Sequence, residues 1–234
     1  MSFLAYRSSL SCQTEKLEVK GKMIYWKNLV FNSLQVNTWL VYKERGSCII
    51  VDPACAEDFE RQLLLDFISE NELKPEMILA THAHFDHLAG VDFVREKFNI
   101  PFYGHRDDLT LLQFARQQGE LYGFNFDVDP PEFDRFINDE DIIEWGGGAF
   151  KALHVPGHSK GSLAYYFEEL GFVIVGDVLF RESIGRTDLP GGDYDTLIHS
   201  INTKLLVLDD ATRVFPGHGA ESDISYEKAH NPFL

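Results

Sequence analysis

The chain has 234 residues, with 37 Asp and Glu against 21 Lys and Arg, for a formal net charge of −16. That length can bury a sizeable core without staples, and a hydrophobic fraction of 44% excludes disorder, collagen-like sequence or low complexity as the overall state. The acidic balance repels phosphate backbones and disfavours nucleic-acid partners, while no run approaches the ~18 consecutive apolar residues of a membrane-spanning helix. Three cysteines (Cys12, Cys48, Cys55) include no C-x-x-C pair and cannot build a disulfide framework, which fits a reducing cytoplasm.

Residues 1–22 show no sustained period of 2 or 3.6 and read as a loosely ordered extension, with Met23 an alternative start. Arg7 interrupts the only apolar run a secretory leader could use, and Ser9-Leu10-Ser11-Cys12 lacks the run a lipoprotein signal needs. From residue 23 strand and helix patterns alternate. Strands are predicted at 23–31, 38–42 and 48–51, then a helix over 56–70 with Phe59, Leu63 and Phe67 on one face. A short apolar strand at 77–81 precedes a helix at 88–98; 101–103 reads as strand and 105–117 as helix. The aromatic-rich stretch 120–134, broken by Pro130-Pro131, reads as a long loop, and such loops are often functional lids.

The second half repeats the plan. Strands are predicted at 150–154, 163–167, 172–176 and 213–215, and a helix at 193–208 carries Leu197, Ile201 and Leu205 on one stripe. Two strand-rich halves flanked by amphipathic helices predict an α/β-class layered fold, two packed sheets with helices outside, in one domain over 23–234.

The chemistry concentrates in Thr81-His82-Ala83-His84-Phe85-Asp86-His87, which holds three of the chain's 9 histidines directly after a strand. On one strand their faces would alternate; in a loop at the strand end they can converge on a point. Neutral imidazoles with a carboxylate suit Zn²⁺, Fe²⁺ or Mn²⁺. His158 in Pro-Gly-His-Ser, Asp177 after Gly176 and His218 in Pro-Gly-His-Gly also lie just past predicted strands. Catalytic groups of layered α/β proteins collect there.

In order and spacing, H-x-H-x-D-H, P-G-H-S, G-D and P-G-H-G resemble the metal-site series of the metallo-β-lactamase fold hydrolases. Val51-Asp52-Pro53 is similar to the family's first motif, an Asp supporting the metal loop. The resemblance covers residues 23–234 and implies an αββα sandwich. It implies that His82, His84 and His158 hold one divalent metal and Asp86, His87 and His218 a second, with Asp177 bridging. Zn comes first, with Fe or Mn as alternatives. It further implies hydrolysis by a hydroxide between the metals, oriented by Asp86.

Asp177 stands where lactamase-type members have Cys or Ser, and the negative charge disfavours the tRNA-processing branch. Gly185-Arg186-Thr187-Asp188 and the ending Asn231-Pro232-Phe233-Leu234 are similar to small bacterial glyoxalase II-like members, which act on thioesters. Arg186 matches a basic substrate-contacting position, whereas Ala220 replaces a Tyr of that group. The expected activity is therefore hydrolysis of small acyl thioesters such as S-lactoylglutathione. A mononuclear iron persulfide dioxygenase is the alternative, with another small ester or lactone hydrolase behind it. Oligomeric state is not legible. The remaining histidines read blandly: His154 as core or ligand support, His105 at a helix start, His199 on a helix surface, His230 in tail packing. Tyr122, Phe124 and Phe126 read as packing residues or as a substrate wall, and Lys160 as solvated.

Overall fold

In the computed structural model, residues 14–124 and 130–234 are described. The first sheet follows chain order: β1 (Glu15–Val19), β2 (Lys22–Phe31), β3 (Val36–Lys43), β4 (Ser47–Val51), β5 (Lys74–Leu79), β6 (Phe102–Gly104) and β7 (Arg135–Phe136). Its strands pair antiparallel through β4 and parallel thereafter. Parallel neighbours require crossovers. These are supplied by α1 (Asp58–Glu70), by α2 (Phe85–Leu88) with α3 (Val91–Phe98), and by α4 (Leu109–Leu121).

The second sheet contains β8 (Ile142–Trp145), β9 (Gly148–His154), β10 (Leu163–Phe167) and β11 (Phe172–Gly176). After a small hairpin of β12 (Leu179–Phe180) and β13 (Ser183–Ile184) come α5 (Tyr194–Ser200), β14 (Arg213–Pro216), β15 (Ser222–Asp223) and α6 (Ile224–His230). The sheet order is β15-β14-β11-β10-β9-β8, with β11 and β14 parallel.

Side-chain alternation sorts the core into three slabs. Along β4, Ile49 and Val51 face the second sheet while Cys48 and Ile50 face the helices. Along β11, Phe172 and Ile174 face inward and Val173 and Val175 pack under Leu197, Ile201 and Ile224. The inner slab is aromatic: Trp39 stacks on Phe215 at 4.4 Å, and Phe215 on Phe172 at 4.6 Å. Each fully buried side chain of this size contributes about 1.5–3 kcal/mol, so the slab dominates cohesion between the sheets. The layers are helix, sheet, sheet, helix, as the resemblance implied.

Four expectations change. The helix anticipated over 88–98 is two pieces, because Asp86 and His87 already sit in the single turn of α2. Gly90 between the pieces packs so closely that a Cβ there would meet the Cys55 sulfur at 2.4 Å. The helix at 193–208 is α-helical only to Ser200 and continues as a π-turn, Ile201–Leu205. Strands β7, β8 and β15 and helix α6 carry too little apolar periodicity to be read in advance.

The 1–22 extension is corrected within its described part. Glu15–Val19 is a strand on β2, closed by a two-residue turn with Lys20 (φ 49°) and Gly21 (φ 77°) left-handed, as a tight hairpin requires. Three of its five side chains are exposed, so main-chain pairing orders it rather than a hydrophobic face. Arg213 adds side-chain ties to Glu15 and Glu221 and lies over Phe215 at 5.0 Å.

Candidate metal centre

Residues that follow β4, β5, β9, β11 and β14 meet at one end of the sandwich. His82 and His84 lie in extended chain after β5, and α2 turns Asp86 and His87 toward the same point. The second sheet delivers His158, Asp177 and His218 from beyond β9, β11 and β14. The structure brings all seven sequence-selected ligand candidates together.

The imidazoles of His82, His84 and His158 form one group. His158 Nε2 lies 2.9 Å from His84 Nδ1 and 3.3 Å from His82 Nε2. Asp86, His87 and His218 form another: His218 Nε2 is 3.3 Å from His87 Nε2 and 3.4 Å from Asp86 Oδ2. Asp177 stands between them, with Oδ2 3.5 Å from His218 Nε2 and 3.7 Å from His158 Nε2. Gly217 makes room: a Cβ there would meet Asp177 Oδ1 at 2.2 Å.

The outward ring atoms are tied. His158 Nδ1 donates to the carbonyl of Arg186 and His218 Nδ1 to that of Leu34, both at 2.9 Å. A carbonyl can only accept, so each Nε2 is left to face the centre. His87 Nδ1 is held 2.9 Å from Asp52 Oδ2, and Asp52 also accepts from Thr81 N (2.7 Å) and Thr81 Oγ1 (2.6 Å). The predicted supporting role of Asp52 therefore has a geometry, from a residue in left-handed backbone (φ 49°) that Asp tolerates better than most. Asn32, not foreseen from the sequence, donates to the Asp86 carbonyl at 3.0 Å.

Burial and charge divide the cluster. Burial, with help from neighbouring imidazoles, pushes His82 well below the ordinary range and His84 down to about 3. Burial opposes charge on His87 and His218 too, but there the carboxylates win. Asp177, Asp86 and Asp52 raise His87 well above its ordinary value, and Asp177 with Asp86 brings His218 to about 9. Burial would likewise raise Asp177, yet His87 and His218 hold it well below the carboxylate range. His82 and His84 thus offer neutral lone pairs, and the other half takes positive charge from solution, as protons or as a cation in their place.

The residues fit divalent cations. Asp177 Oδ1 is buried with no hydrogen-bond partner, an arrangement costly for a carboxylate unless a cation meets it. Ligand atoms within each trio lie within 4.8 Å of one another, and the nitrogen–oxygen set suits Zn, Fe and Mn.

Around the centre, Phe85 is buried, Tyr122 stacks on it at 5.1 Å, and Phe124 meets its edge at 5.1 Å. Tyr122 is exposed, Phe124 is buried packing, and Phe126 lies outside the described residues. Arg186 is at the rim, but its guanidinium is paired with Asp188 through two bonds of 2.8 and 2.7 Å. His154 stacks on His105 at 4.1 Å and hydrogen-bonds the Lys160 carbonyl, away from the seven. Exposed His199 and His230 play no part, and the latter stacks on Tyr226. Cys48 and Cys55 are buried free thiols, and burial pushes Cys55 up to about 12, so neither is a nucleophile.

An αββα sandwich with a five-histidine, two-aspartate cluster at the strand ends defines a metallo-hydrolase. The chain belongs to the metallo-beta-lactamase superfamily, whose family model matches residues 32–218. It is 39% identical to the probable metallo-hydrolase YqgX of Bacillus subtilis, covering 89% of this chain and 97% of that protein. It is 37% identical to the hydroxyacylglutathione hydrolase GloC of Haemophilus influenzae, over 86% and 94% of the two chains. Among solved structures it resembles the BLEG-1 B3 metallo-beta-lactamase (TM-score 0.81, 37% identity, 89% and 99% covered). It also resembles TTHA1623 in a di-iron-bound form (TM-score 0.78, 38% identity, 88% and 99% covered).

Proposed function

We propose that the protein hydrolyses small acyl thioesters, S-lactoylglutathione among them, in the manner of glyoxalase II. The observation that carries the reading is the buried Asp177 carboxylate set between two trios of ligand atoms, each trio suited to one cation. His82, His84 and His158 would hold the first cation, Asp86, His87 and His218 the second, with Asp177 touching both. Zn is the first choice; Fe and Mn suit the same donors. The bound cations supply Lewis acidity, lowering the pKa of water and polarising a carbonyl oxygen.

The chain's own residues do the rest. Asp86, pinned through its main chain by Asn32, presents a fixed carboxylate that holds a water's proton and turns its lone pair toward the carbonyl carbon. Phe85 and Tyr122 offer an apolar wall for the acyl or thiol arm. Arg186 is the rim cation for a carboxylate on the substrate, once Asp188 yields it. A small-molecule substrate suits a chain of charge −16 better than a nucleic acid, and a cytoplasmic setting suits its free thiols. The relative named as a hydroxyacylglutathione hydrolase supports the thioester class.

The test is metal analysis of purified protein alongside turnover of S-lactoylglutathione, a β-lactam and glutathione persulfide. Two metals with thioester hydrolysis is the expected result. One iron with oxygen uptake on the persulfide would establish a dioxygenase instead, and β-lactam turnover without thioester turnover would refute the substrate class.

A further inference from the structure

The three-histidine half draws its ligands from two separate loops, one carrying His82 and His84 and the other His158. Among the described residues, one buried carboxylate hydrogen-bonds to both loops. Asp108, 1% exposed, occupies the N-cap position of α4 but makes no side-chain bond to its own helix. Its Oδ2 accepts from Ala83 N at 3.0 Å and from Ser159 Oγ at 2.8 Å, while Oδ1 accepts from Gly161 N at 2.7 Å. Ala83 lies between His82 and His84, and Ser159 follows His158. Ser162 completes the second loop by receiving Ser159 N at 3.1 Å. The fit is close: a Cβ on Gly161 would lie 2.7 Å from Asp108 Cγ. Three donors on two oxygens are what an ionised carboxylate satisfies. Asp52 does the corresponding work for the other half, through Thr81 and His87.

We propose that Asp108 is a positioning residue that sets the cation affinity of the His82–His84–His158 half, by locking the two loops in register. The inference rests on the reading that these histidines hold a divalent cation. Ligand atoms carried on two loops remote in sequence must be brought together at the moment of binding. A shared carboxylate removes that ordering cost beforehand, and losing such a support typically lowers metal affinity about 10–100-fold. The Asp86–His87–His218 half does not touch Asp108 and is unaffected.

The experiment measures Zn²⁺ affinity on the full chain by competition with a chromophoric chelator, in two backgrounds. His218→Ala leaves the three-histidine half intact, and His84→Ala leaves the other. Asp108→Asn is expected to weaken Zn²⁺ about 10–100-fold in the first background and less than twofold in the second. Equal loss in both, or no loss in the first, overturns the proposal, since a merely structural role lowers thermal stability without distinguishing the halves. If Asp108→Asn does not fold, Ser159→Ala, which removes one of the three bonds, decides by the same comparison. A several-fold loss confined to the first background supports the proposal, and unchanged affinity overturns it. Failure of the unsubstituted chain to bind two equivalents of Zn²⁺ would strike the metal reading itself, and the proposal with it.

Discussion

Asp177 is the residue on which the two halves of the cluster depend, because two divalent cations about 3.5–4 Å apart need an anion between them. Asp177→Asn keeps the shape but removes the negative charge there. It should cost most of the second metal and at least about 10²-fold in kcat, read by metal analysis and thioester kinetics. The protonation pattern adds a pH dependence. His218, raised to about 9, must release a proton to ligate, whereas His84, lowered to about 3, is already neutral above pH 5. Between pH 8 and 6 the Asp86–His87–His218 half should therefore lose affinity by about tenfold per pH unit for each raised imidazole, His87 and His218, while His82 and His84 stay neutral. Stoichiometry against pH would show one metal leaving before the other. At the rim, Arg186 is partnered by Asp188 rather than free. A solvent-screened pair holds its arginine weakly, so Asp188→Asn should lower KM for an anionic thioester up to about fivefold with kcat unchanged. Arg186→Ala should raise it.

At the scale of elements, legibility followed burial. Strands β4, β10 and β11 are buried along nearly their whole length and read as apolar runs. β1 is ordered by hydrogen bonds to β2 and by an arginine 198 positions away, and neither leaves a periodic trace. A truncated chain beginning at residue 22 should thus melt several degrees lower, because losing about 1–2 kcal/mol moves Tm by roughly 2–4 °C per kcal/mol in a domain of this size. An unchanged melting curve would show that the strand contributes nothing. The split between α2 and α3 has a similar origin. Periodicity around Val91 and Val94 is visible, but the turn presenting Asp86 and His87 is placed by contacts with Asn32 and Asp52.

Over the whole molecule, the first sheet supplies His82, His84, Asp86 and His87, and the second supplies His158, Asp177 and His218. A cation in either trio therefore ties the first sheet to the second, directly or through Asp177, in addition to the aromatic slab. Ligand that binds only the folded chain, at about 100 times its Kd, adds about 2.7 kcal/mol. Chelation should then lower Tm by about 5–10 °C per site, a scan that needs no substrate. A chelator-insensitive melting curve would contradict the metal reading.

Local residue patterns carry the layered class of fold, most of the buried strands and all seven candidate ligands. Period-2 and period-3.6 burial are local patterns, and His82, His84, Asp86 and His87 are crowded into one short segment that packing does not explain. Folding set which groups hold those ligands in place. Asn32 and Asp108 belong to no motif, and each acts across tens of residues through bonds to main-chain atoms that every residue type possesses. It also decided that Arg186 is paired, that Tyr122 is exposed while Phe124 is packed away, and that His154 faces His105 instead of the metal centre. Ligand chemistry is written in residue type, whereas support is written in distance, and distance between remote segments exists only once the sheets have packed.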